Sequence, residues 1–166
     1  MYHSINEFLV DWEKEKDCTL KIFEALTNES LKSKVYDEGR TLGFLGWHIT
    51  NTVGEMMSKT GLDIKELYDA NEEPESVQQI ISEYQRLSTE MENSLKDKWT
   101  DETLNQDFNM YGQTWKGVDV LESLIKHQIH HRAQMTVLMR QADLKVPGIY
   151  GPSKDDWALY GMPAHK

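Results

Sequence analysis

Cysteine is nearly absent from the chain: Cys18 is the only one in 166 residues. A single thiol excludes an intramolecular disulfide and a cysteine-based zinc site, and it fits a reducing cytoplasm. Basic charge is also short. Eighteen Lys and Arg against 28 Asp and Glu leave a formal net charge of -10. General binding to nucleic acid or to an anionic membrane needs a basic face, so both are excluded as functions. No apolar run approaches the roughly 18 residues needed to span a bilayer. The start, Met1-Tyr2-His3-Ser4, leads to Asp11, Glu13 and Lys14 rather than to the apolar centre of a signal peptide. We therefore expect a soluble, cytoplasmic protein. Internal repeats and low-complexity segments are missing, as is any stretch that alternates strongly enough to read as a strand. What is present is enough apolar material for a core: 39% hydrophobic residues, with five Trp and seven Tyr. The length predicts one domain over residues 1–166.

Four segments carry the 3.6-residue period of an amphipathic helix. The first runs from about Ile5 to Leu26, with Ile5, Phe8, Leu9, Trp12, Leu20, Phe23 and Leu26 on its apolar side. Ser4 and Glu7 fit a capping box at its start. The second runs from about Leu42 to Lys59, with Thr41 as N-cap and Gly61 as C-terminal stop. The third follows Pro74 and shows the cleanest stripe, from Val77 through Ile80, Ile81, Tyr84, Leu87 and Met91 to Leu95. The fourth runs from about Val118 to Ala142 along Leu121, Leu124, Ile125, Met135, Leu138 and Met139. Such stripes are buried by packing on one another, so the pattern predicts an all-α protein, a four-helix bundle. The stretch Trp99–Trp115 is too long for a simple turn and predicts a crossing connection or a short extra helix. Three of the four prolines, Pro147, Pro152 and Pro163, follow the fourth helix. The tail from Val146 is accordingly expected to be extended, with a short helical turn near Asp155–Leu159.

Of six histidines, His3 and His165 lie near the termini and are expected to be exposed. The other four fall inside predicted helices. His127 and His131 stand at i and i+4, one turn apart on one face. Leu124, Met135 and Leu138 continue that same face, so two imidazoles interrupt an apolar seam. His48 does likewise in the second helix, among Phe44, Leu45, Thr52 and Met56. A buried imidazole must find partners. Three that converge can share a Zn, Ni, Cu or Fe ion and leave a position for water or substrate. The alternative is three core histidines hydrogen-bonded to the protein. His130 lies about 100° around the helix from His131 and reads as a surface or supporting group.

The segment Leu45-Gly46-Trp47-His48-Ile49 resembles the second-helix motif of the DinB-like family. Lys126 to Gln134, KHQIHHRAQ, resembles its H-x-x-H-H-R-x-Q signature. The tail Tyr150-Gly151-Pro152-Ser153-Lys154-Asp155-Asp156-Trp157, ending in Tyr160-Gly161-Met162-Pro163, is similar to the C-terminus of members. Ala133 stands where many relatives carry Gly, a change that favours the helix. The resemblance implies a four-helix bundle with a crossover connection, commonly a homodimer. It also implies one divalent metal ion, Zn or Ni first, held by His48, His127 and His131. Similar bundles include bacillithiol- and mycothiol-dependent transferases, which makes a small-molecule substrate or a low-molecular-weight thiol the expected partner.

Other residues are weighed beside this. Arg132 and Gln134 fit hydrogen bonding across helices. Glu55, two turns after His48, is a general-base or supporting candidate against a solvated surface Glu. Asn51 and Thr52 are placed to orient an imidazole. Cys18 reads as a small core residue. Tyr150, Trp157 and Tyr160 fit packing over one end of the bundle, a pocket wall or a dimer interface. The function expected is a metal-dependent enzyme, a thiol S-transferase or a hydrolase. Its rivals are a non-catalytic metal- or ligand-binding bundle in a stress response and a scaffold with no metal.

Overall fold

The computed structural model describes residues 1–67 and 73–163, which leaves His165 outside the described residues. Ser4 begins the first helix, α1 (Ile5–Glu24), by accepting the Glu7 N–H on its Oγ at 3.1 Å. The expected capping box is displaced by one residue: the Glu7 carboxylate accepts the N–H of His3 at 2.7 Å, not that of Ser4. Thr41 caps α2 (Leu42–Ser58) through the Phe44 N–H, and Ser76 caps α3 (Val77–Lys98) through that of Gln79. The longest helix, α4, spans Gly117–Gln141. A capping side chain answers end N–H groups that no intrahelical carbonyl reaches, which is why these starts were readable. Gly61 sits at φ +82°, the left-handed stop expected after α2.

Side-chain pairs fix the helix directions. The Met1 ammonium meets Glu122, and Glu15 meets Arg132, so α1 and α4 run the same way. A Cβ on Gly46 would meet Ile80, and one on Gly54 would lie 3.0 Å from Leu87, so α2 and α3 run parallel and close together. Gln128 donates to the Ile49 carbonyl while Leu45 and Leu138 line one pocket, which sets α2 antiparallel to α4. Each of α1 and α2 packs on both α3 and α4. The bundle is thus up-down-down-up, and the second and fourth helices are neighbours, as a shared histidine site requires.

This order corrects the expected place of the crossover. Two parallel helices in sequence need a connection that returns along the bundle, and that connection is 59–76. Part of it lies on the α2–α3 face, where Lys65 N–H donates to Glu90 and Arg86 donates to the Lys65 carbonyl.

The stretch after α3 contains the short extra helical piece expected there and departs from expectation beyond it. It holds a short 3₁₀ turn, Asp101–Asn105, and then an antiparallel hairpin of β1 (Asp107–Met110) and β2 (Gln113–Lys116). Tyr111 and Gly112 both have positive φ, 55° and 80°, the two-residue turn whose twist suits a hairpin. Trp99 stacks on Phe108 at 5.3 Å and anchors the hairpin to the end of α3. The helices alone therefore do not account for all regular structure. The tail turn lies at Trp157–Tyr160, close to its expected place.

Candidate metal centre

His48 projects from α2, and His127 and His131 project from α4, into one cleft between the two helices. Nε2 of His48 and Nε2 of His127 lie 3.0 Å apart. The three ring centroids are separated by 4.4–4.8 Å. One donor nitrogen from each ring can be chosen so that all three lie within 4.8 Å of one another. A tetrahedral ion with Zn–N bonds of about 2.0–2.1 Å separates its ligand nitrogens by about 3.3 Å. One pair, at 3.0 Å, is within about 0.3 Å of that spacing, and the third nitrogen has at most about 1.5 Å to close. The donor set fits a borderline divalent ion, because neutral imidazole suits Zn, Cu, Fe and Ni.

The cleft keeps these rings neutral. Burial lowers His48 to about 4, helped by the neighbouring positive charges of His131 and Arg40 and opposed by Glu55. Burial lowers His127 to about 3, again with the other histidines and Arg40 adding to it. His131 is lowered too, by burial first, while its bond to Gln134 works the other way. An unprotonated imidazole is the form that ligates.

Gln134 sets the orientation of His131. The His131 Nδ1–H donates to Gln134 Oε1 at 2.8 Å, which leaves Nε2 with its lone pair toward the cleft. The same amide donates from Nε2 to Nε2 of exposed His130 at 3.1 Å. His130 therefore supports the amide that supports the ligand candidate and stays out of the cleft, as its register predicted. Gln134 bonds within α4, contrary to the cross-helix role expected of it. His127 differs: its Nδ1 is buried with no hydrogen-bond partner.

The other expected residues divide. Thr52 donates to the His48 main-chain carbonyl at 2.6 Å and not to an imidazole. Among the described residues no hydrogen bond joins Asn51 to a ring. Glu55 is not free to serve as a base at rest: its oxygens accept from Tyr111 OH at 2.6 Å and from Lys59 at 3.0 Å. Its charge still reaches His48. Arg132 does bond across helices. It is 2% exposed and donates to the Glu15 carboxylate, the Glu15 carbonyl, Thr19 and Tyr150. Tyr150 OH also donates to Glu15 at 2.7 Å, so this tail residue closes over the α1–α4 seam. Cys18 is buried beside the seam, as a small core residue. Trp157 and Tyr160 pack edge to face in the tail turn, with Tyr160 exposed.

One contributor, Gln128, was not anticipated, and Phe44, expected beside His48, is found there. Gln128, fully buried, accepts from Tyr84 OH at 3.2 Å and donates to the Ile49 carbonyl at 3.1 Å, which locks the α2–α4 register next to His48 and His127. A glutamine on the apolar face of α4 was the available signal. Phe44 stacks on His48 at 5.9 Å and carries the Arg40 guanidinium over its ring at 4.9 Å.

Comparison with known proteins identifies the family and the fold. Residues 1–165 match the model of the DinB family. The chain is 43% identical over 166 residues to the uncharacterized protein YrdA of Bacillus subtilis (strain 168), which covers 100% of this chain and 99% of that protein. It superimposes on the crystal structure of a DinB-like protein from Bacillus cereus ATCC 10987 with a TM-score of 0.87 at 38% identity, covering 90% of this chain and 100% of that one. It shares its fold with YjoA, a DinB-like protein from Bacillus subtilis, at a TM-score of 0.62 and 14% identity, over 89% and 99% of the two chains. No helix among the described residues is long and apolar enough to cross a membrane. With the motif residues gathered at one cleft and the match running over nearly every residue, the chain belongs to the DinB family.

Proposed function

We propose that the chain binds one divalent ion, Zn or Ni, at His48, His127 and His131, and acts as a metal-dependent enzyme on a small molecule, as a thiol S-transferase or a hydrolase. The observation that carries this reading is the convergence of three imidazole donors within 4.8 Å, one of them oriented by an amide. When bound, such an ion is a Lewis acid that lowers the pKa of a coordinated water or thiol into the neutral range. The protein's part is to hold three uncharged donors, so the ion's charge is not cancelled by its ligands. Gln134 keeps His131 in the ligating tautomer, and Phe44 covers one face of His48. Cys18 lies on the α1 side, away from the cleft, so a thiolate at the site would come from a small molecule.

The test mixes metal-loaded protein with low-molecular-weight thiols and monochlorobimane, and separately with simple esters. Conjugation or hydrolysis above the protein-free rate, lost in His127→Ala, supports the enzyme. Activity that survives metal removal contradicts it.

A second reading has its own observation. The 3.0 Å contact of His48 with His127 is also hydrogen-bond geometry, as in a scaffold that needs no ion. Metal content separates the two.

A further inference from the structure

Arg40, just ahead of α2, is the exception among four arginines. Arg86, Arg132 and Arg140 are each paired with a carboxylate. Arg40 is exposed, and among the described residues no carboxylate lies within ion-pair distance of it. In a chain of net charge -10, a guanidinium with no carboxylate partner among the described residues stands out. The Arg40 guanidinium lies over the ring of Phe44 at 4.9 Å, and Phe44 stacks on His48. Stacking of this kind holds the guanidinium plane while leaving its N–H edge free.

A second observation falls in the same place. Arg40 lines a pocket of about 590 Å³ between the N-terminal end of α2 and the C-terminal half of α4. Small-molecule sites span about 300–1,000 Å³. Three large apolar side chains otherwise left in water, Val35 (59% exposed), Tyr36 (66%) and Val137 (56%), converge on it. Gln134, the residue bonded to His131, lines it as well. The pocket thus reaches from the Arg40 guanidinium, along an apolar wall, to the residue that touches the histidine cluster. Glu38 also lines it, unpaired with Arg40.

We propose that this pocket is a ligand subsite of the histidine centre. There Arg40 receives the carboxylate or other anionic head of an organic molecule whose apolar body lies on Val35, Tyr36 and Val137. Arginine presents two parallel N–H donors that match a carboxylate or sulfonate edge, which makes the contact selective as well as attractive. Anion binding stands on Arg40 and the pocket alone. Only the link to chemistry rests on the metal-centre reading above.

The experiment has two arms. In the first, metal-free protein is titrated with anilinonaphthalenesulfonate and with its neutral analogue N-phenyl-naphthylamine, followed by fluorescence. Wild type should prefer the sulfonate by about tenfold. Arg40→Gln should abolish the preference, Arg40→Lys should retain part of it, and Glu38→Gln should raise it. Unchanged melting curves show that the variants fold. Absence of a sulfonate preference, or its survival in Arg40→Gln, overturns the proposal. In the second arm, Co(II)-loaded protein is titrated with mercaptopropionate and its methyl ester, and thiolate-to-cobalt absorption is read. Tighter binding of the free acid that equalises in Arg40→Gln supports the subsite's link to the centre. Equal binding of acid and ester in wild type overturns that link. A sulfonate preference that needs Arg40, in a protein that takes up no cobalt, supports the anion pocket and removes the metal reading instead.

Discussion

The two sides of α4 carry buried polar clusters of opposite character. Toward α1, Arg132 gives its donors to the Glu15 carboxylate and carbonyl, Thr19 and Tyr150, and Tyr150 in turn donates to Glu15. That cluster answers its own hydrogen-bonding groups, so it fixes α1, α4 and the tail together and has nothing left for a ligand. Toward α2, His48 and His127 present Nε2 to each other, and His127 Nδ1 has no partner. His131 keeps one nitrogen toward the cleft because Gln134 takes the other. One nine-residue motif therefore serves both clusters, and the sorting of satisfied from unsatisfied atoms separates them: Arg132 ties the fold together, and His127, His131 and Gln134 belong to the proposed metal site.

The comparison breaks most visibly at Arg132. Arg132→Ala leaves the buried Glu15 carboxylate without its charged partner and with only the Tyr150 hydroxyl, which costs about 3–5 kcal/mol. For a chain of this size that lowers the melting temperature by on the order of 10 °C. We expect thermal denaturation to show this while metal affinity at a temperature where the variant is folded stays near wild type. A variant that melts normally yet loses metal would reverse the assignment of the two faces.

Gln134→Ala should do the opposite. Removing the acceptor of the His131 Nδ1–H should weaken metal affinity by about 10–100-fold, the usual effect of losing such a supporting bond. Competition with a chromophoric chelator measures it, and Gln134→Glu, which keeps an acceptor, should recover most of the loss.

The histidine face also predicts a pH dependence. His48 and His127 titrate near 6.5 in the unfolded chain and are depressed to about 4 and about 3 when folded. Below about 6.5 the unfolded state binds more protons, so their contribution to stability is complete above that pH and declines as pH falls toward about 3. Urea denaturation of chelator-treated protein across this window, compared with a His48→Gln/His127→Gln variant, should show the wild type losing more stability on acidification. Parallel curves would contradict the burial of the neutral rings.

Much of the site was legible because it depends on local spacing. Period 3.6 gave the four helices, and i, i+4 spacing put His127 and His131 on one face with His130 turned away. Other features depend on contacts far apart in sequence and left no local pattern. The Arg132 bonds to Glu15 and Thr19 span more than a hundred residues. That no described carboxylate pairs with Arg40 depends on where residues distant in sequence fall. The α2–α3 direction is a matter of packing, through Gly46 and Gly54 against Ile80 and Leu87, so the length of the 59–76 connection did not reveal it as the crossover. The hairpin escaped because its strands have four residues each and its turn is Tyr111-Gly112 rather than an Asn-Gly or Asp-Gly pair. Alternation of Phe108 and Met110 with polar neighbours was its faint signal.

The central claim is that the His48–His127–His131 cleft holds an ion, and elemental analysis of untagged protein purified without chelators tests it most directly. The account predicts close to one equivalent of a divalent metal per chain, a fall to background in folded His127→Ala, and little change in His130→Ala. A folded wild type that carries no metal and takes none up from an equimolar Zn or Ni solution, or a His130→Ala variant that loses metal as fully as His127→Ala, would contradict it.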